Sequence, residues 1–375
     1  MLERAIKYFN AGRFGDAIPI LAKLKPSKEK YLNLAACYMH INQYSLARDM
    51  LDKVSSAKFM NGQDGFMVEA CLNSGLLEYH LENDSDAIFI YRSGLEETKN
   101  YDLMWNYGIT RLRQYCSGKY ADLKFAWQLY EARFRIFHAV KTPLVPNWTG
   151  GVKVDSITVM AEQGIGDNIM FSRYLPEVAK WCDRLVVQCT PDTACLFPGY
   201  EHSYSTEQTT THVISMCSLG NLLDHIPPVV PIGEYIIPNS GKIGLVWRSN
   251  NKHSTGEIRN IPVTYLYKML ELRDCYTLGS DCRDKRIPTL PSSSWSMTMS
   301  SLMELDAVVC IDTAIAHLCG TMGIPCYLLL GSRNTDWRWG DKSMGFNNIW
   351  YPSVKVIRNT GDWRDSVEKV IECLK

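Results

Sequence analysis

The chain has 375 residues, enough for two or three domains. Apolar residues make up 46% of it, enough to bury real cores, so disorder is excluded as the default state. Lysine plus arginine equals aspartate plus glutamate at 40 each, so no global field announces a nucleic-acid or membrane partner.

Locally the charge is uneven. Residues 151–241 carry 4 basic and 10 acidic side chains, while both flanks are slightly positive. The 13 cysteines form no CxxC pair and no Cys/His cluster with zinc spacing, which points to buried thiols in a reducing compartment. The first residues, MLERAIKYFNAGRF, lack the apolar run of a signal peptide, and no run of about 18 apolar residues occurs anywhere. A cytoplasmic protein with no membrane span and no metal is the expectation.

The first 140 or so residues repeat. Gly12-Arg13-Phe14 followed by Ala17 and Leu21 matches Asn42-Gln43-Tyr44 followed by Ala47 and Leu51. Asn83-Asp84-Ser85 with Ala87 and Tyr91 forms a third copy, and Gly118-Lys119-Tyr120 with Ala126 and Tyr130 a looser fourth. Each copy reads as helix, polar turn, helix, with a small residue that lets two helices approach closely. Spacings of 30 to 40 residues signal a helical solenoid of tetratricopeptide-like repeats, whose surface can hold a protein partner or an acceptor. Asp84 and Asp86 have the DxD look of a metal site, but their place in an inter-helix turn reads as turn chemistry and a cap. Two prolines and two glycines between Thr142 and Gly151 mark a boundary.

Beyond residue 150 short apolar runs alternate with helical stretches. Strands are expected at Ser156–Ala161, Leu185–Cys189, His212–Met216, Ile243–Trp247, Tyr276–Gly279, Ala307–Ile311 and Cys326–Leu330, with helices at about 167–180, 263–273, 313–322 and 362–374. This is the pattern of doubly wound α/β sheets. The Pro- and Gly-rich stretch Pro227–Gly241 splits it in two. The expected order is a helical-repeat domain over 1–141, then Rossmann-like lobes over 151–238 and 242–375, facing each other across a cleft.

Four constellations fall at expected strand ends, where such sheets bind ligands. In Glu162-Gln163-Gly164-Ile165-Gly166-Asp167-Asn168, two glycines let backbone approach a ligand, and Asp167 is either a helix cap or a positioned base. The third glycine of a dinucleotide fingerprint is missing, so an NAD enzyme is weakly supported. Arg248, Ser249, Asn250, Asn251, Lys252 and His253 load a loop with cations and amides that suits a diphosphate, or is a solvated basic loop. In Asp312-Thr313-Ala314-Ile315-Ala316-His317, a strand turns into a helix whose free amides bind anions, and His317 lies one turn in. Asp336-Trp337-Arg338-Trp339 could line a nucleotide base or sugar, or anchor its loop in the core.

Taken in order, Pro146-Asn147-Trp148, the 161–167 loop, Phe171-Ser172-Arg173-Tyr174, Gly244-Leu245-Val246-Trp247, the 312–317 turn, Asp336–Trp339 and Trp350-Tyr351-Pro352 resemble one family. It is the bacterial-type tetratricopeptide-repeat glycosyltransferases related to the heptosyltransferases, glycosyltransferase family 9. Trp127, Tyr130, Glu131 and Arg133 resemble that family's linker helix. The resemblance implies a GT-B fold, no essential metal and no cofactor, and an inverting displacement from a nucleotide-sugar donor. It implies that Asp167 is the acceptor-side base in a loop with Gln163, Gly164 and Gly166. It implies that Asp312, Thr313, Ala314 and His317 bind the donor and that Arg248 and Lys252 neutralise its phosphates; Asp336 and Trp337 complete the expected donor side. The acceptor reads as a glycan, a protein or a hydroxymethylated DNA base. The basic run Lys119, Lys124, Arg133, Arg135 and Lys141 favours the last, and the acidic 151–241 segment opposes it. The alternatives are a helical-repeat scaffold whose transferase domain has lost activity, and a dinucleotide-dependent Rossmann enzyme.

Overall fold

Three turns in the first hundred residues share one backbone device. Gly12, Asn42 and Glu82 each adopt a left-handed conformation, with φ of 71°, 60° and 61°. The residue after each donates its N–H to a carbonyl five positions back, as Arg13 to Tyr8, Gln43 to Tyr38 and Asn83 to Glu78. This closes one helix and starts the next. The third turn therefore matches at Glu82, one residue before the Asn83 expected from sequence. Five residues after each turn stands an alanine with no exposed surface, Ala17, Ala47 or Ala87.

The computed structural model describes residues 1–55, 66–120, 122–136, 145–205, 207, 209–249, 259–279, 282–332 and 335–375. Helices α1 (Leu2–Asn10), α2 (Phe14–Ala22), α3 (Lys28–His40), α4 (Tyr44–Val54), α5 (Met67–His80) and α6 (Asp84–Glu97) pack as successive pairs. Then come α7 (Tyr101–Cys116), α8 (Leu123–Tyr130) and the short α9 (Arg133–Ile136). Ser27 starts α3 as its cap, its hydroxyl accepting from Lys30 N–H at 3.1 Å. Asp84 does not cap α6. Its carboxylate accepts from Arg113 Nε at 3.0 Å and from Nη2, and both side chains are buried. Arg113 Nη2 also donates to the Tyr79 carbonyl at 2.7 Å, and its guanidinium lies 3.5 Å from the centre of the Tyr79 ring. Asp84 thus serves a buried ion pair, while Asp86 is exposed.

The chain divides into two compact units, Met1–Tyr115 with Gln128–Ala139, and Cys116–Trp127 with Val140–Lys375. Within the second, Lys119 pairs with Asp341, and Trp127 meets Phe171 edge-on at 5.4 Å.

The second unit holds two wholly parallel sheets. The first has four strands in the order β3-β2-β1-β4: β1 (Val154–Met160), β2 (Cys182–Gln188), β3 (Glu201–Ser203) and β4 (His212–Ser215). The second has five in the order β6-β5-β7-β8-β9: β5 (Lys242–Val246), β6 (Asp274–Thr277), β7 (Ala307–Ile311), β8 (Cys326–Leu330) and β9 (Val354–Arg358). Every residue of β7 and β8 is buried, as a parallel strand covered on both faces requires. Asn147, in the expected boundary segment, bridges to Val213 of β4.

Between strands run α10 (Ile165–Phe171), α11 (Leu175–Ala179), α12 (Trp295–Leu302) and α13 (Ala314–Met322), and α14 (Trp363–Leu374) follows β9. The single helix expected at 167–180 is broken by a 3-10 turn at Ser172–Tyr174, because Pro176 has no N–H for the Ser172 carbonyl. The 263–273 helix is a 3-10 helix, Val263–Glu271. Among the described residues no helix is long and apolar enough to cross a membrane.

Candidate functional site

Both sheets change direction of winding at their first strand: β4 returns beside β1, and β7 beside β5. Crevices open at the carboxyl ends of such strands. A cavity of about 860 Å³ lies there, lined by the loops after β1, β2, β5, β6, β7 and β8.

The loop after β1 is held from within. Gln163 takes a left-handed φ of 56°, which aims the chain into α10. Asn168 accepts from Glu162 N–H at 3.0 Å and donates to the Gly164 carbonyl at 3.0 Å, clasping the loop across its neck. Asp167 Oδ2 accepts from Gly164 N–H at 3.0 Å, as a capping acid does. Its Oδ1 accepts from Arg338 Nη2, across the cavity. Burial raises the Asp167 carboxyl above the ordinary carboxylate range, and the Arg338 charge only partly offsets this.

Gly166 is where the two sheets' helices touch. A Cβ there would stand 2.9 Å from His317 Cδ2, so only glycine lets α10 lie against α13.

On the other side, Asp312 Oδ1 accepts from Trp339 Nε1 at 3.0 Å, and Arg259 donates to the Asp312 carbonyl at 3.3 Å. Burial, and next the charge of Asp336, raise the Asp312 carboxyl; Arg259 opposes them. Thr313 stands at the N-terminus of α13, its hydroxyl oxygen buried with no hydrogen-bond partner among the described residues. Amide groups at this helix start face the cavity with partial positive charge. Arg248 lines the cavity with an exposed side chain. Its loop is pinned at Ser249, whose N–H donates to Asn260 at 2.9 Å.

His317 is buried, with Nδ1 3.0 Å from Tyr351 Oη in a shared hydrogen bond and its ring stacked 5.1 Å from Trp339. Burial, then the nearby Arg338 charge, lower its pKa to about 3, so the ring is neutral at neutral pH. The folded value lies below the unfolded one near 6.5, so the unfolded chain binds the extra proton between them. Stability is complete above about pH 6.5 and is lost as pH falls from there towards 3. On this basis the wild type loses about 2 kcal/mol more than His317→Gln between pH 7.5 and 5, read by urea unfolding. Equal losses in the two proteins would remove His317 as the acid-sensitive group.

The structure gathers Gln163, Gly164, Gly166, Asp167, Arg248, Asp312, Thr313, Ala314, His317 and Asp336 around this one cavity. Trp337 is not brought there. It is 4% exposed and packs edge-on to Trp127 at 5.6 Å and to Trp350 at 5.9 Å, so it anchors the loop in the core. Lys252 lies outside the described residues, as do Asn250, Asn251 and His253.

No family model and no curated protein matches the chain. Solved structures similar to it include the bacterial iron-containing dodecameric glycosyltransferase TibC from enterotoxigenic E. coli H10407. That match has 12% identity over 61% of this chain and 70% of that one, with a TM-score of 0.41. E. coli heptosyltransferase WaaC with ADP matches at 12% identity over 59% and 100%, TM-score 0.39. A glycosyl transferase family 9 protein from Veillonella parvula DSM 2008 matches at 11% over 60% and 92%, TM-score 0.39.

Sequence reasoning gave Arg338 no role of its own beyond that of its loop. Its Nη1 donates to both oxygens of Asp336, at 2.8 and 2.9 Å, and its own N–H donates to Asp336 Oδ1 at 3.0 Å. Burial works against the Asp336 charge, but Arg338 holds that carboxyl below its ordinary range. Asp192 and Trp295 were also missed: Trp295 N–H, at the start of α12, donates to Asp192 Oδ1 at 3.3 Å across the cavity's far wall. An acid two residues before an arginine in a tight turn was the available signal for Arg338. None existed for Asp192, whose partner is 103 residues away.

Proposed function

We propose that this protein is a metal-independent glycosyltransferase that moves a sugar from a nucleotide-sugar donor to an acceptor hydroxyl, with inversion. In this reading the two sheets are the lobes of a GT-B arrangement, and the N-terminal helix pairs are tetratricopeptide-like repeats that hold the acceptor or a partner protein. The observation that carries it is one shared cavity. It sets the Asp167 carboxylate on the β1 side opposite Arg248, Arg259 and the α13 N-terminus on the β5–β7 side.

The chemistry follows from that opposition. When a glycosyl–phosphate bond breaks, negative charge grows on the departing diphosphate. Fixed cations and helix amides stabilise that charge without having to reorganise. The Asp312-Thr313-Ala314 turn and Arg248 are the groups placed to do so, with Lys252 as a further proposed cation. On the opposite wall a carboxylate takes the acceptor hydroxyl's proton as the oxygen attacks, and burial has raised its affinity for that proton.

The acceptor is a glycan or protein hydroxyl. Two of the five cations that would favour a DNA backbone are committed to ion pairs. Lys119 pairs with Asp341, and buried Arg133 pairs with Glu131. Nucleotide-sugar chemistry and unpaired thiols such as Cys37 and Cys116 suit a reducing, cytoplasmic setting.

Arg248→Ala is expected to weaken nucleoside-diphosphate binding about tenfold, the scale of one charge-assisted contact, as read by isothermal titration. Unchanged affinity would take Arg248 out of the donor site.

A further inference from the structure

Two features of Arg338 set it apart from an ordinary buried arginine. Its first contact is local: Asp336 sits two residues away on the same turn and is bound through backbone and side chain together. Its second contact is to a residue 171 positions away on the other sheet's loop, the Asp167 carboxylate that the proposed reaction needs as its base. Arg338 itself is 7% exposed yet lines the cavity. In this arrangement both oxygens of Asp167 are engaged, Oδ2 by Gly164 N–H and Oδ1 by the Arg338 cation, which lowers the carboxylate's affinity for a proton.

We infer that the Arg338–Asp167 pair is a donor-operated latch, in which a bound diphosphate takes the place of Asp167 on Arg338 and so releases the base. The inference rests on the proposed transferase reading and adds regulation to the same site. Asp336 eases the exchange on Arg338. The guanidinium keeps that counter-ion throughout while one anion replaces another beside it, and the released Asp167 carboxylate, no longer facing a cation, gains affinity for a proton. A guanidinium presents its donors in a fork that fits phosphate oxygens as well as carboxylate oxygens. Asp167 stays in place after release, because Oδ2 remains on Gly164 and only Oδ1 is vacated. The base is thus withheld until a donor arrives, which imposes the order donor first, acceptor second.

Inorganic pyrophosphate is the probe, titrated calorimetrically into the full chain. Asp167→Asn removes the competing carboxylate with little change of shape and is expected to bind pyrophosphate at least tenfold tighter than wild type. Asp192→Asn removes one negative charge from the same cavity without touching Arg338, and its gain should be threefold or less. Arg338→Gln should bind at least tenfold more weakly, and Arg338→Lys should recover part of the loss. The latch is wrong if Asp167→Asn binds within twofold of wild type, if Asp192→Asn gains as much, or if Arg338→Gln binds like wild type. Each of those outcomes, with firm binding to wild type, leaves the transferase reading standing. No binding by any of the proteins, Asp167→Asn included, overturns the latch and the diphosphate site together.

Discussion

Asp167→Asn is expected to lower sugar transfer by roughly 10²–10⁴-fold, the contribution of a positioned general base. Affinity for the nucleoside diphosphate should not fall. The amide keeps an oxygen for Gly164 N–H, so the start of α10 stays folded. What it loses is the capacity to take a proton. Initial rates of transfer, set beside nucleotide affinity, separate the cap that Asp167 forms from the base role proposed for it. A variant that turns over at the wild-type rate would leave only the cap. A variant with impaired nucleotide binding would mean that Asp167 shapes the donor side instead.

The second large effect is on stability. Arg113→Met is expected to cost about 3–5 kcal/mol in the N-terminal helical unit, because it strands the Asp84 carboxylate, which is only 7% exposed. The Tyr79 carbonyl loses its donor in the same step. Converting both partners, as Asp84→Leu with Arg113→Met, should recover much of the loss, since no unpaired charge then remains buried. Helical circular dichroism through a urea titration reads both. A single-variant loss below about 1 kcal/mol would mean that water or another group reaches Asp84.

The parts of the fold that could be read from sequence are those written in local pattern. The buried runs Ala307–Ile311 and Cys326–Leu330 appear as strands with the bounds expected of them. The repeat of turn and alanine is legible because a left-handed turn and a close helix contact each restrict residue choice. Two strands escaped. Glu201-His202-Ser203 is three polar residues at the edge of its sheet, and Val354–Arg358 has its apolar run interrupted by exposed Lys355 and ended by Arg358. Both are edge strands, where one side lacks the cover that makes a continuous apolar run.

The candidate site divides along the same line. Loops at strand ends were readable, and with them Asp167, Asp312, Thr313 and His317. The facing of side chains within a tight turn was not. Asp336 and Arg338 reach the cavity while Trp337 between them turns to the core, which depends on where Trp127 and Trp350 lie. The pairing of Arg338 with Asp167 depends on how two separate sheets meet, and the sequence of neither loop contains it.

A thermal-shift panel of nucleotide sugars, free nucleotides and NAD tests the central claim most directly. A ligand bound only to the folded state stabilises it by about 2.7 kcal/mol at a hundredfold excess over its dissociation constant. A clear upward shift is expected with one nucleoside diphosphate and with its sugar conjugate, and none with NAD. A shift with NAD alone, or with no member of the panel, would contradict that claim.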